Sequence, residues 1–573
     1  MIRLFTGGKC QNNCFFCDKK KKKNPTISEL KNKINLALKN NPNDNSITFF
    51  GGDPLLSNIF FDLMHYVKKK KFKIIQVETN GRKLSDKKFA KKIINLGVTH
   101  LKISLYSLNC LVHDKITGQI GSFKESLEGL DNLINLGLQK NIVINITLTN
   151  QNIEGVYYLI KKFTEKGIKK FQVNIVDSEK KSSLIPLNKI ISFVSTIRYD
   201  FIDKALIKTK GLPYCLIPEP EGLILKSQSK NFIKTPDCQN CKFFPDCNGL
   251  PKFYYSKKNL KQLIPQRLPE EIAIELSPSQ DFPLNTKAIK DVINQAKSLG
   301  VSIIRFIIIE SLSRKDIYEL FEYAKDRNFE VRLDISNIFV RNIKSLAERI
   351  VDSVDYVITY VNYKDIKKTE KKREILSLKQ AGIKTIRIVT LANPLNIRNI
   401  EKIYRFLLEC KADKWAVNRD IYKKNIAGQE IKRLIEKLVK IKKDIIKNKF
   451  SLRVHVIYAI PFCYYDPIKI NFVCTGAKSI DGYERLLVNA QGIVKPIHYF
   501  DKKVGDFHNI AKAWNSSFMK SIRTYEFLPK DCKECFFLEK CKGGSRFCAY
   551  QSFGSYQAAD PLMNYPKVKN YIW

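Results

Sequence analysis

From Ile2 onward the chain alternates short apolar runs with longer stretches whose apolar residues recur at helical spacing. The runs Ile2–Phe5, Ser46–Phe50, Ile74–Thr79, Leu101–Leu105, Val143–Thr149 and Phe171–Val176 have strand length and many β-branched or aromatic residues. Between them, Ile27–Lys39, Lys87–Leu96 and Gly155–Lys166 read as helices, the first through Ile27, Leu30, Ile34, Leu36 and Leu38. Strands separated by helices of this length need crossover connections, which argues for an α/β fold with a parallel sheet and helices outside it.

Directly after the first apolar run, Cys10, Cys14 and Cys17 stand in a C-x3-C-x2-C loop, with Phe16 before the third cysteine. A loop this tight can aim three thiolates at one inorganic centre. Three is one short of the four that close an ordinary iron–sulfur or zinc site, so one iron of a [4Fe–4S] cluster would be left for a non-protein ligand. A zinc knuckle or three unconnected thiols would share the same spacing. The second strand runs into Gly51-Gly52-Asp53-Pro54, where two glycines allow close backbone approach to a ligand.

Further cysteines cluster rather than scatter. Of 15, eight fall at or before Cys247 and five between Cys474 and Cys548. Short spacings favour metal centres over disulfides. Cys238, Cys241 and Cys247 form C-x2-C-x5-C, and Cys215 upstream can complete a four-thiolate set, for iron–sulfur or for zinc. The same spacing returns at Cys532, Cys535 and Cys541, with Cys463, Cys474 or Cys548 as a fourth ligand.

From Glu271 the strand–helix rhythm restarts, with strands expected at Ile272–Leu276, Ile303–Ile309, Val331–Ile335, Tyr356–Tyr360, Thr385–Leu391 and Trp415–Asn418. Self-similarity on this scale implies an internal duplication. The copy has lost its chemistry: Ser277-Pro278-Ser279-Gln280-Asp281 replaces the cysteine loop, and Glu310-Ser311-Leu312 replaces the glycine turn.

The cysteine loop, the Gly51–Pro54 turn, and Ser104-Leu105-Tyr106-Ser107 followed by His113-Asp114-Lys115-Ile116-Thr117-Gly118 together resemble the radical S-adenosylmethionine (SAM) superfamily. The two C-x2-C-x5-C regions resemble its SPASM and twitch auxiliary domains. The resemblance implies a partial (β/α)6 TIM-like barrel, duplicated, each copy followed by a small cysteine-rich extension. The expected boundaries are 1–210, 211–265, 266–445 and 446–573. It also implies a catalytic [4Fe–4S] cluster on Cys10, Cys14 and Cys17, and SAM held by Phe16, Gly51, Gly52, Asp53, Pro54 and Ser104. Asp53 stands where the family has Glu. The family's arginine near Thr117 is absent, leaving Lys115 as a substitute for the SAM carboxylate. One or two auxiliary [4Fe–4S] clusters are expected, drawn from Cys215, Cys238, Cys241, Cys247 and from Cys532, Cys535, Cys541, Cys548. Ile497 and Ser545 occupy cysteine positions of a full SPASM domain, and Met563 stands for another, which argues for fewer.

The implied activity is reductive SAM cleavage to a 5′-deoxyadenosyl radical that abstracts hydrogen from a substrate. A peptide or protein side chain is the first expectation. Small-molecule cofactor biosynthesis, such as tetrapyrrole side-chain chemistry, is the second, and a non-catalytic or RNA-associated iron–sulfur protein the third. A flavodoxin or ferredoxin would supply the electron. The net charge of +44 invites a nucleic-acid reading, but lysines are spread over most helical stretches. The densest runs, Lys19–Lys23 and Lys68–Lys71, lack the interleaved aromatics of a strand-tracking groove. Solvated surface is favoured over a specific nucleic-acid partner. No apolar stretch reaches the ~18 residues of a membrane helix, and no signal-peptide layout opens the chain, so a cytoplasmic protein is expected.

Overall fold

The computed structural model describes residues 2–17, 23–40, 45–175, 185–217, 224–225, 231–244, 246–260, 262–263, 268–278, 284–336, 338, 340, 342–420, 428–457, 460–477, 482–497, 499–533, 535 and 537–564. Lys19–Lys22, Val176 and Ser279–Asp281 lie outside this set. The chain divides into two compact units, residues 1–236 with 243–264, and residues 237–242 with 265–572.

The first unit is built on one sheet of β1 (Ile2–Phe5), β2 (Ser46–Phe50), β3 (Ile74–Thr79), β4 (His100–Ser104), β5 (Ile142–Leu148), β6 (Lys170–Ile175), β7 (Leu206–Lys210) and β8 (Ile224–Leu225). The strands pair in sequence order and every pairing is parallel. The sheet is an eight-stranded α/β half-barrel; the six expected strands are present within a residue of their expected bounds, and β7 and β8 extend the sheet. β7 reads Leu206-Ile207-Lys208-Thr209-Lys210, whose polar half masks its apolar half. In the parallel strands one face is packed by helices, and alternate residues such as Ile75, Val77, Leu101 and Ile103 are buried there. A short antiparallel pair, β9 (Phe232–Ile233) with β10 (Leu250–Pro251), closes this unit's cysteine-bearing segment.

The second unit repeats the architecture. Strands β11 (Glu271–Leu276), β12 (Ile303–Ile308), β13 (Glu330–Asp334), β14 (Tyr356–Tyr360), β15 (Thr385–Ala392), β16 (Lys414–Arg419) and β17 (Arg453–Val456) are parallel and in sequence order. On the β11 edge, β18 (Arg485–Val488) adds in parallel, followed by antiparallel β19 (Ile493–Lys495) and β20 (Gly505–Asp506). The six strands expected here are present, and β17 joins them. No described helix is long and apolar enough to cross a membrane.

Candidate active site

The cysteine loop leaves β1 at its carboxyl end, where parallel α/β sheets place their ligands. It is fastened from every side by residues that lie far off in sequence. The Gly52 N–H donates to Gly7 O (2.8 Å) and the Asp53 N–H to Lys9 O (2.7 Å). The Gly8 N–H donates to Asn24 Oδ1 (2.8 Å). The Asn13 N–H donates to Thr117 O (2.7 Å), the last residue of the helix Cys110–Thr117. Arg82 Nη1 donates to Gln11 O (3.2 Å) and Asn12 Oδ1 (2.9 Å), while its Nε binds Glu125 (2.5 Å). Cys10 Sγ accepts from the Asn12 N–H (3.4 Å) and from Asn80 Nδ2 (3.7 Å). Tyr106 stands beside Cys14 and packs edge-on against Phe16, ring centroids 5.6 Å apart.

The two glycines of the Gly51–Pro54 turn lie against the backbone of the cysteine loop. A Cβ on Gly52 would stand 2.3 Å from Lys9 O and 2.5 Å from Gly8 O, and one on Gly51 would stand 2.4 Å from Gly7 O. Their missing side chains let the cysteine loop lie against the end of β2. Asp53 is buried beneath that contact: its carboxylate accepts from Thr79 Oγ1 (2.9 Å) and from the Leu55 N–H (3.1 Å), capping the short turn that begins with buried Pro54. Burial pushes its carboxyl up to about 6, against the opposing pull of Thr79. The Asp53 side chain thus fixes the turn beneath the cysteine loop.

Burial pushes the Cys14 thiol up to about 12, and its neighbours Cys17 and Cys10 push the same way. Cys10 is raised for the same first reason. Burial holds the Cys10 and Cys14 thiols protonated, and a cationic iron centre is what would reverse that preference. Among the described residues no three His, Cys, Asp or Glu are close enough to grip a single metal ion. A tetrahedral zinc would need its sulfurs roughly 3.8 Å apart, whereas a four-iron cubane is larger and separates its thiolates further. The donor set, three soft thiols in a fastened loop beside a side-chain-free turn, fits such a cluster.

Ser104 ends β4 half-buried, and its Oγ accepts from Asn145 Nδ2 (3.3 Å). Asn145 Oδ1 accepts from Asn174 Nδ2 (2.9 Å), and Asn174 Oδ1 from Gln172 Nε2 (2.6 Å). Sequence reasoning misses this amide ladder across β4, β5 and β6, although the polar residues inside apolar strands are its signal. It also misses Asn80, Arg82 and Tyr106, which hold the loop. Lys115 is exposed on its helix. His113 is buried against Ser122 Oγ (3.2 Å), and burial lowers it to about 4, so it is neutral and structural.

Of the first auxiliary set, Cys215 and Cys247 pack on the core of the first unit. Cys238 and Cys241 share a turn closed by the Cys241 N–H on Cys238 O (2.9 Å), in the segment belonging to the second unit. In the carboxyl-terminal set, Cys463, Cys532, Cys535 and Cys541 line one small apolar cavity with Met563. Cys532 Sγ lies 3.9 Å from Met563 Sδ. Cys548 does not line that cavity. It rides on the helix Arg546–Phe553, which turns it into an aromatic cluster with Tyr499, Phe500 and Phe547.

The first unit is thus a parallel α/β half-barrel with three thiols at the carboxyl end of its first strand. Residues 4–174 match the Radical SAM superfamily model, and this part of the chain is a radical SAM domain. A probable GTP 3′,8-cyclase of Methanococcus aeolicus is 28% identical over 204 residues, covering 34% of this chain and 66% of the relative. One of Saccharolobus islandicus is 26% identical over 169 residues, covering 29% of this chain and 54% of the relative. The chain thus spans between about half and two thirds of the curated relatives it matches. Among solved structures, Streptococcus suis SuiB aligns with a TM-score of 0.40 at 16% identity, over 52% of this chain and 77% of that one. Native anSMEcpe with bound AdoMet gives 0.40 at 14% identity, over 52% and 95%.

Proposed function

We propose that this protein is a radical SAM enzyme whose cluster is held by Cys10, Cys14 and Cys17 and whose substrate is a peptide or protein side chain. The observation that supports the first part is the fastening of one thiol loop by Gly52, Asn80, Arg82, Tyr106 and Thr117, four separate strand ends or helix ends converging on three sulfurs. When bound, the cluster and SAM supply a carbon-centred radical able to take hydrogen from an unactivated C–H bond. The chain's residues supply everything else. Gly51 and Gly52 let the cysteine loop lie against a turn whose backbone would meet SAM, and the Asp53 carboxylate fixes that turn. Phe16 and Tyr106 cover the loop's flank with apolar surface. Ser104, oriented by Asn145, presents a hydroxyl at the end of β4 for a polar group of the nucleoside. The four thiols around the Cys463 cavity would hold one auxiliary cluster, with Met563 beside it; Cys215, Cys238, Cys241 and Cys247 are the candidates for another. A second radical SAM-like barrel, descended from a duplication of the first, would then serve to bind substrate.

The peptide reading rests on the tandem layout with cysteine-rich segments. The similarity of the first unit to probable GTP 3′,8-cyclases favours a second reading, radical chemistry on a small molecule. Both are tested on anaerobically reconstituted enzyme by iron and sulfide counts and by mass spectrometry of 5′-deoxyadenosine. Cys10→Ala/Cys14→Ala/Cys17→Ala should make none; product from that variant would end the proposal. Modification of peptides encoded beside this chain separates the two substrate readings.

A further inference from the structure

The second sheet carries a belt of charge at the amino-terminal ends of its strands, opposite the end where α/β barrels keep their catalytic loops. Its centre is Glu271, the buried first residue of β11. Arg332 Nη1 reaches Glu271 Oε2 at 3.0 Å, but Arg305 Nη1 and Arg485 Nη1 stop 3.8 and 3.7 Å from Oε1. Arg305 also pairs with Asp334, and Arg332 with Glu330. Two further cations complete the belt. Arg387 and Lys414 are register partners on β15 and β16, and both stand over the Tyr356 ring, at 5.1 and 4.5 Å from its centroid.

Five cations therefore meet three carboxylates. Among the described residues Arg387 has no ion-pair partner, and buried Arg485 Nε and Glu271 Oε1 have no hydrogen-bond partner. Beside the belt, Glu484 is taken by Lys242 at 2.7 Å, and Glu270 adjoins that pair, its carboxyl raised by burial and by Glu484. A purely structural charge layer would balance, because an uncompensated buried charge costs several kcal/mol. The imbalance is felt locally: burial first, then Arg332 and Arg305, pull Arg387 down to about 10.

We infer that this belt is a binding site for a multiply charged oxyanion, a phosphate or a dicarboxylate, held by Arg387, Arg485 and Lys414. Guanidinium forks present paired N–H groups that match either oxyanion. Bound there, the ligand would supply the missing negative charge and fill the unmet Nε. None of these residues belongs to the thiol sites, so failure here leaves the radical proposal standing.

Thermal unfolding of the full chain, at constant ionic strength, tests this with inorganic phosphate and, separately, with glutarate, each exchanged against sodium chloride. The expected result is a saturable rise of about 3–6 °C with at least one of them, and the anion giving the tighter curve identifies the class. Arg387→Gln should remove the rise and, without the anion, unfold at a higher temperature than the wild type. Should Arg387→Gln not unfold cooperatively, Lys414→Gln is read the same way for loss of the rise. A response no greater than chloride gives, or one unchanged in the folded variants, overturns the inference.

Discussion

Replacing Gly52 by alanine tests the claim that the glycine turn exists first to seat the cysteine loop. The added Cβ would lie 2.3 Å from Lys9 O and 2.5 Å from Gly8 O. Both obstacles are backbone atoms, so no side chain can swing aside. Restoring ordinary contact requires roughly 1 Å of loop movement, which strains a packed contact at a cost of ~1–3 kcal/mol. That movement also stretches the bonds from the Gly52 and Asp53 N–H groups, at 2.8 and 2.7 Å, which contribute ~1 kcal/mol each. The total is about 3–5 kcal/mol, or roughly a 10 °C fall in the midpoint for a unit of this size. A displacement of about 1 Å is also enough to cost about 100-fold in a reaction that depends on the placement of its ligands. Differential scanning calorimetry of the apo chain and iron counts after reconstitution read the two consequences. Gly155→Ala is the control: its Cβ meets nothing nearer than Ser107 Oγ at 3.9 Å, within the helix Ile153–Glu165, and alanine there should be neutral or stabilising. Full iron content in Gly52→Ala, with a midpoint within about 2 °C of wild type, would refute the reasoning.

Three further outcomes are expected. Asp53, raised in the folded state to about 6, lowers stability as pH climbs from about 4 to about 6, because the unfolded chain releases that proton earlier. The difference is ~3 kcal/mol, so Asp53→Asn should flatten the stability of apo protein between about pH 4 and about pH 7; an unchanged slope would count against the buried carboxyl. Arg82→Met leaves Gln11 O, Asn12 and Glu125 without their donor, costing ~2–3 kcal/mol and lowering iron retention at the amino-terminal loop, as read by electron paramagnetic resonance. Cys463→Ala should lower the iron bound by the carboxyl-terminal cavity while Cys548→Ala leaves it intact; equal losses would return Cys548 to the ligand set.

Much of the fold and half of the site are written in local patterns. The strand–helix period marks the parallel sheets, and three cysteines within one loop need no tertiary information to suggest a shared centre, since their spacing alone brings them together. β7 and β17 escape that reading because Lys208, Lys210, Arg453 and His455 interrupt their apolar runs; a strand whose one face lines a polar interior loses the signal that a doubly apolar strand keeps.

What only the tertiary structure decided are the relations between residues distant in sequence. That Gly51 and Gly52 make room for backbone, that Asp53 accepts from Thr79, and that Arg82 reaches across to Asn12 all follow from the packing of β1 beside β2 and β3. Likewise Cys463 lines the cavity with Cys532, Cys535 and Cys541 while Cys548 lies among aromatic side chains, a difference their spacing does not show. The belt around Glu271 is the extreme case. Its charges come from residues on six strands, β11, β12, β13, β15, β16 and β18, and only the register of the sheet makes them a cluster. Spacing along the chain carries local chemistry, whereas pairing across a sheet is set by burial and hydrogen bonding summed over the whole unit.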